Sequence, residues 1–132
     1  MGRLMVLLSG LVIVGFAALI HGYIFYLESV SWTSERTRAI FGTSVEGAAA
    51  TRQLAFNQGF YNLFLALQVI AGIVVFALGS VPVGVALILA GAGAMVLAGM
   101  VLMASDSSKA GAALKQLLPP LIGLIVLVIG LF

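Results

Sequence analysis

The side chains of this sequence that could do chemistry are concentrated in two short segments. The first, HGYIFYLESVSW, carries the only histidine, His21, together with Glu28 and the only tryptophan, Trp32. The second, NQGFYN, carries three amides and begins five residues after Arg52. An imidazole, a carboxylate, a guanidinium and amides can hold the polar end of a ligand or move a proton. Both segments border long apolar runs. Polar groups placed there cost free energy unless they pair with one another or line a polar cavity, so they are candidates for a functional site.

The composition predicts an integral membrane protein. The 132 residues are 63% hydrophobic and 8% charged, whereas soluble domains are about a quarter charged. The net charge of +2 comes from scattered groups, without the basic cluster that binds nucleic acid. We therefore expect membrane lipid, and no nucleic acid, as a partner. Cysteine is absent, and one histidine with one nearby carboxylate falls short of the ligands that zinc takes, so we predict no metal and no cofactor.

Four apolar runs predict an all-α membrane domain, a bundle of four transmembrane helices. Each run is long enough to cross about 30 Å of hydrocarbon as a helix. The first run is too long for a signal peptide and no small-x-small cleavage pattern follows it, so we expect it to remain as a span. The predicted spans of this single domain are residues 4–27, 53–78, 82–104 and 112–132, with loops at 28–52 and 105–111.

Glycine and proline mark the turns and the irregular points of these spans. The segment GSVP, residues 79–82, is typical of a tight turn and predicts a helical hairpin formed by the second and third spans. The last apolar run is short, and it spans most readily if its helix begins upstream near Ser108 and bends at Pro119 and Pro120, where proline removes a helical hydrogen bond.

The basic residues are distributed unequally between the two sides of the membrane. Only Arg3 lies on the side of the termini. By the positive-inside rule, the two loops lie in the cytoplasm and both termini lie outside. The basic residues on the loop side are Arg36, Arg38, Arg52, Lys109 and Lys115.

The two polar segments are predicted to share one pocket. His21 and Glu28 are seven residues apart and so lie on one helical face, and Asn57 and Tyr61 share a face of the second span. If Glu28 and Arg52 both mark the boundary, His21 and Asn57 lie about 10 and 8 Å inward. We therefore predict that the protein binds or transports a small amphiphilic molecule near the cytoplasmic leaflet. The predicted ligand-binding residues are His21, Phe25, Tyr26, Glu28, Trp32, Arg52, Asn57, Gln58, Tyr61 and Asn62.

Each of these side chains also has a purely structural explanation. His21 and the amides could hydrogen-bond neighbouring helices, and the tyrosines and Trp32 fit an aromatic belt at the membrane surface. Glu28 could pair with Arg52 or Arg38. Two other functions stay open. One is a membrane enzyme acting on a lipophilic substrate, with His21 or Glu28 as general acid or base, and the other is an accessory subunit of a larger membrane complex.

Small residues recur on the third span. Gly84, Gly91 and Ala98 are spaced by seven residues and form a stripe that lets another backbone approach closely. Packing within the bundle and contact with a second subunit both explain such a stripe. Because four spans are few for a transporter, we predict a homo-oligomer that uses this face.

The polar segments resemble those of a bacterial membrane-protein family catalogued as domain of unknown function 1304. The similarity runs through HGYIFYLESVSW, RAIFG and LAFNQGFYNLFLA, and continues thinly into AGMVLMAS, although Leu117 stands where the family is expected to have a glycine. The resemblance implies a small four-span protein of the bacterial plasma membrane, and it implies no activity. The matching positions are His21, Tyr23, Ile24, Phe25, Tyr26, Glu28, Trp32, Phe41, Gly42, Asn57, Gln58, Gly59, Tyr61 and Asn62.

Overall fold

The computed structural model describes residues 1–132 and contains five α-helices and no strand. The helices are α1, Gly2–Phe25; α2, Glu35–Phe41; α3, Val45–Ala77; α4, Val81–Ser105; and α5, Ala110–Leu131. A π-helical turn, Tyr26–Val30, extends α1, and a 3₁₀ turn, Ser107–Lys109, precedes α5. Four segments are long and apolar enough to cross a membrane. The predicted all-α class with four spans is therefore confirmed, and its orientation stays a prediction.

The four long helices form an antiparallel bundle in which α1 lies between α3 and α5. The helix α4 lies across the bundle from α1 and contacts the same two neighbours. Outer faces carry exposed apolar side chains such as Val12, Leu19 and Leu97, as expected where lipid is the solvent. Small residues supply much of the core, because membrane helices associate through close packing. The buried core residues are Val14, Ala17, Ala18, Ala66, Val69, Ile88, Ala92, Met95 and Leu127.

Glycines allow the paired helices to approach until their backbones touch. A Cβ atom added at Gly10 of α1 would lie 2.6 Å from the Cα of Leu127 in α5. One added at Gly84 of α4 would lie 2.6 Å from the backbone nitrogen of Phe76 in α3. Both distances are too short for a real side chain, so these two interfaces depend on glycine.

The small-residue stripe of the third span is divided between two surfaces. Gly84 and Gly91 are buried, and a Cβ added at Gly91 would lie 2.9 Å from Cγ2 of Val69 in α3. Ala98 is exposed. Because α3 already occupies the groove at the two glycines, packing within the bundle explains them. The homo-oligomer through Gly84, Gly91 and Ala98 stays a prediction.

The connection between the first two spans is more ordered than a loop. The side chain of Ser34 accepts a backbone hydrogen bond at the start of α2, and Ser44 does the same at the start of α3. Serine is a favoured capping residue because its hydroxyl satisfies an otherwise unpaired N–H group. Gly42, at φ +64°, ends α2. The predicted loop 28–52 therefore contains α2 and the first two turns of α3.

The helix α5 continues through its two prolines. The side chain of Asp106 accepts a hydrogen bond from the backbone nitrogen of Ser108 over 3.1 Å and so starts the preceding 3₁₀ turn. Pro119 and Pro120 lie inside the helix, and each lacks the N–H group that would bond a carbonyl one turn earlier. The first turns of α5 therefore keep fewer internal hydrogen bonds than the rest of the helix.

Candidate ligand-binding site

Two of the predicted site residues meet directly. Nδ2 of Asn62 donates a hydrogen bond to Oε2 of Glu28 over 2.9 Å, which joins the π-helical turn to α3. The same amide nitrogen also donates to the backbone oxygen of Gln58 over 3.1 Å. The second carboxylate oxygen, Oε1, has no partner within the chain and is not sealed from its surroundings. Glu28 is thus held in place by one oxygen and can accept a hydrogen bond with the other.

The close approach of α1 and α3 at this point depends on Gly59. A Cβ atom added there would collide with Oγ of Ser29 and lie 3.0 Å from the carbonyl oxygen of Phe25. The hydroxyl of Ser29 in turn donates to the carbonyl of Phe56 over 2.7 Å. The π-helical turn places an additional residue in this part of the chain, and such turns often lie at functional sites.

His21 lies apart from this pair, in the core of the bundle. Its side chain is 1% exposed, and its Nδ1 lies 2.9 Å from the carbonyl oxygen of Ala17, one turn earlier in α1. Because a carbonyl only accepts, Nδ1 carries the proton of this hydrogen bond. The hydrogen bond of His21 therefore lies within its own helix, and not between neighbouring helices as the structural explanation from the sequence had it.

The register of α1 against α3 separates His21 from Asn57. Glu28 lies beside Asn62 of the antiparallel helix α3. His21 lies seven residues, or about 10 Å, deeper in α1, so its neighbour in α3 lies about seven residues beyond Asn62. That position is near Val69, which shares the buried cluster with α1. The predicted alignment of His21 with Asn57 is thereby corrected. The reason is that α3 extends beyond the end of α1, so Arg52 and Glu28 do not lie at one level.

Several predicted site residues lie on outer surfaces. Phe25 is half-buried, with its ring 5.1 Å from that of Phe60, and Tyr26 is exposed beside Tyr23. Of the three amides in the second polar segment, Asn62 alone contacts another predicted site residue, and Asn57 and Gln58 are exposed. The exposed members of the predicted set on α3 are Arg52, Asn57, Gln58 and Tyr61.

A cavity of about 350 Å³ lies on the opposite side of α1, between α1, α2 and the first turns of α5. Its apolar wall includes Ile20, Ile24 and Leu27 of α1 together with Leu102 of α4. Of the ten residues predicted from the sequence, Glu28 and Trp32 line this cavity. The polar and aromatic residues of its lining are Tyr23, Glu28, Trp32, Phe41, Lys109, Lys115 and Gln116.

The short helix α2 closes one side of this cavity. Trp32 donates a hydrogen bond from Nε1 to Oγ1 of Thr51 over 3.2 Å, and its ring lies 5.0 Å from that of Phe41 at the end of α2. The buried hydroxyl of Thr37 lies 2.8 Å from that of Ser31 and ties α2 to the π-helical turn. These contacts hold Trp32 and Phe41 as part of the cavity wall.

Glu28 also borders a second, smaller cleft of about 130 Å³ that includes Trp32 and Arg52. The ion pair of Glu28 with Arg52 or Arg38, considered above as a structural explanation, is not formed. The ion pair that the chain does form joins Lys109 to Asp106 over 3.6 Å. Glu28 therefore lies between two clefts, with a hydrogen bond from an amide and no cation beside it.

The two lysines of the cavity were not predicted as site residues. Their positions are set by the first turns of α5, where Lys109, Ala112 and Gln116 recur at helical spacing on the face toward α1. A hydrogen bond from the Ser108 side chain to Asp106 lowers the pKa of that carboxyl, and Lys109 nearby lowers it further. The carboxylate beside Lys109 is therefore ionised at neutral pH.

The family model described as Protein of unknown function (DUF1304) matches residues 15–128 of the chain. This range contains both polar segments and the whole lining of the cavity. The resemblance identified from the sequence is confirmed. No curated protein and no solved structure matches the chain.

Proposed function

The chain belongs to the DUF1304 family, and from the geometry of its cavity we propose that it binds a small amphiphilic molecule between α1, α2 and α5. One observation carries this proposal. A single cavity of about 350 Å³ joins a continuous apolar wall to a group of charged and amide side chains. Ligand pockets begin at about this volume and combine an apolar lining with a few polar groups.

The polar end of the ligand lies near Glu28, whose unpartnered Oε1 is free to accept a hydrogen bond. The bond from Asn62 holds the other oxygen, so the carboxylate is oriented before a ligand arrives, which lowers the entropic cost of binding. Because four helices are apolar enough to cross a membrane, the apolar part of the ligand can enter from the bilayer. His21 and Asn57, which the sequence suggested, take no part in this site.

The alternative function is that of a membrane enzyme, for which the sequence suggested His21 or Glu28 as general acid or base. His21 does not line the cavity, so of the two acid–base candidates predicted from the sequence only Glu28 could act there. No second acid or base lies within hydrogen-bond distance of Glu28. Binding without turnover is therefore the function that the geometry supports best.

We place the protein in the bacterial plasma membrane, with α2 and the first turns of α5 on the cytoplasmic side. The family resemblance supports the first part of this proposal. The five basic residues on the α2 side, against Arg3 on the other, support the second.

The only tryptophan of the chain, Trp32, lines the cavity and can report on its occupancy. The purified protein is titrated in an uncharged detergent with a brominated long-chain alcohol, because bromine quenches tryptophan fluorescence on contact. We expect a saturable component of quenching above the linear response caused by the micelle.

Filling the cavity should remove this saturable component. Ala112→Phe places a ring in the cavity, where Ala112 is part of the lining. Ala86→Phe is the matched control, since Ala86 is exposed on the outer face of α4. If wild type shows only linear quenching, or if Ala112→Phe binds as well as wild type while keeping its helical circular dichroism, the cavity is not the binding site.

A further inference from the structure

The lysines around the cavity outnumber its carboxyl groups, and they have few ion-pair or hydrogen-bond partners within the chain. Lys109 and Lys115 both belong to the lining, against the single carboxylate of Glu28. Lys115 makes no ion pair and no side-chain hydrogen bond within the chain. Lys109 has only the exposed ion pair with Asp106 at 3.6 Å, and pairs of this kind contribute little. Two lysines whose charges have little compensation within the chain therefore border the cavity.

From this arrangement we infer that the ligand is an anionic amphiphile whose oxyanion head lies between Lys109 and Lys115, with its alkyl chain along the apolar wall of α1. The inference rests on the proposed function and assigns its ligand class. Hydrogen bonds between an ammonium group and an oxyanion are roughly twice as strong as neutral ones. The flexible lysine stems lie on apolar surface while their charged ends reach a head group at the mouth.

Glu28 adds a hydrogen-bonding group beside the head. Its carboxyl group belongs to the same lining and has one oxygen free, so a hydroxyl or ammonium group on the head can donate to Oε1. The chemistry therefore fits an oxyanion head on an alkyl chain, as found in a fatty carboxylate or in the phosphate diester of a phospholipid.

The test compares two probes that differ only in the head group. A brominated alkyl sulfate, which is ionised at any pH used, and the brominated alcohol of equal chain length are titrated against Trp32 fluorescence. We expect the sulfate to bind about tenfold more tightly, since a charge-assisted hydrogen bond contributes about 1.5 kcal/mol or more. Lys115→Gln should reduce this preference, and the double variant Lys109→Gln with Lys115→Gln should abolish it.

The alcohol serves as the internal control for folding. Its affinity should be the same in wild type and in both lysine variants, because its head does not depend on a cation. Arg36→Gln is the matched charge control, since Arg36 is exposed and is not part of the lining. This variant should keep the full preference for the sulfate.

The outcomes separate this inference from the proposed function. Equal binding of both probes by wild type overturns the anionic ligand and leaves the amphiphile site intact, whereas saturable binding of neither probe overturns the proposed function. A preference that survives the double lysine substitution overturns the placement of the head. Displacement of the bound sulfate by a fatty acid or by phosphatidylglycerol identifies the source of the oxyanion, and displacement by neither contradicts a membrane-derived anion.

Discussion

Asn62 and Glu28 join the middle of α3 to the end of α1 through one hydrogen bond of 2.9 Å. The bond fixes the register of the two helices and orients the carboxylate at the edge of the cavity. The same contact therefore serves the fold and the proposed site. Side-chain hydrogen bonds between membrane helices contribute about 0.6 kcal/mol on average and up to about 2 kcal/mol.

Replacing Asn62 with leucine should lower the free energy of unfolding by about 1 kcal/mol, because Oε2 of Glu28 loses its donor. The measurement is reversible unfolding in mixed micelles, followed by circular dichroism. Asn57→Leu is the matched control, since Asn57 is exposed and makes no side-chain hydrogen bond. Equal losses from the two substitutions would show that the Glu28 contact does not stabilise the bundle.

Two glycines of α4 should respond in opposite ways to alanine. A Cβ at Gly84 would lie 2.6 Å from the backbone nitrogen of Phe76 and 2.7 Å from the carbonyl oxygen of Gly72, whereas a Cβ at Gly93 has nothing within 4 Å. Gly84→Ala should therefore destabilise the protein by about 1 to 3 kcal/mol through overpacking. Gly93→Ala should stabilise it by up to about 1 kcal/mol through helix propensity.

Unfolding of the two variants under the same conditions checks this difference. Both positions lie in one helix, so a general effect of alanine on α4 would move them together. If Gly84→Ala is as stable as Gly93→Ala, the contact between α3 and α4 is looser than described, and the groove at Gly84 would again be open to a second subunit.

The docking of α2 should depend on Thr37. Its hydroxyl, in a side chain 1% exposed, lies 2.8 Å from the hydroxyl of Ser31 and 3.0 Å from that of Ser34. Thr37→Val keeps the shape and removes both hydroxyl contacts, so Ser31 loses its partner while Ser34 keeps only the bond from the backbone nitrogen of residue 37, at a cost of about 1 to 3 kcal/mol. Trypsin should then cleave faster at Arg36 and Arg38.

Thr33→Val provides the control for this prediction. Thr33 is exposed and its hydroxyl makes no hydrogen bond, so its cleavage rate should equal that of wild type. Identical rates for all three proteins would show that the hydroxyl of Thr37 does not hold α2 in place.

The protein should become less stable as the pH is lowered, because Asp106 then becomes protonated. The pKa of this carboxyl lies below its ordinary value of about 4, chiefly because of the hydrogen bond from the Ser108 side chain. A lowered pKa in the folded state gives stabilisation that is complete above the ordinary pKa and is lost as the pH falls through the folded one. Asp106→Ala should therefore melt below wild type at neutral pH and approach it in acid.

Thermal melting of both proteins across this range tests the expected convergence. Asp106→Asn keeps an acceptor for Ser108 without a charge, so it should melt between the two at neutral pH. A constant difference between wild type and Asp106→Ala at every pH would show that the carboxylate charge is not involved.

Apolar run length was enough to predict the four spans, because each must cross the same hydrocarbon thickness. The start of α3 was misplaced since hydropathy treats VEGAAATR as a loop. Its alanines and the Ser44 cap favour a helix instead. The caps at Ser34 and Ser44 were readable from the sequence, and they would have shown that Arg52 lies well inside a helix.

The sequence predicted two residues of the candidate cavity and missed its lysines, because these come from a distant part of the chain. Glu28 and Trp32 belong to one segment and were identified together. Lys115 comes from α5 and Lys109 from the 3₁₀ turn that precedes it, and no pattern in a single sequence indicates that the first and last long helices pack side by side. The π-helical turn at Tyr26–Val30 also changes which way Glu28 faces, and one additional residue in a turn leaves no periodic signal.

The absence of cysteine makes the predicted orientation directly testable. Single cysteines at Thr33, Ser80 and Ser107 occupy exposed positions in the three connections between spans. With both termini outside, a membrane-impermeant maleimide should label Ser80→Cys in sealed right-side-out vesicles and leave the other two unlabelled. Permeabilised vesicles should label all three, which controls for accessibility. Labelling at Thr33→Cys and Ser107→Cys alone would reverse the orientation and place the lysines of the cavity on the outer side of the membrane.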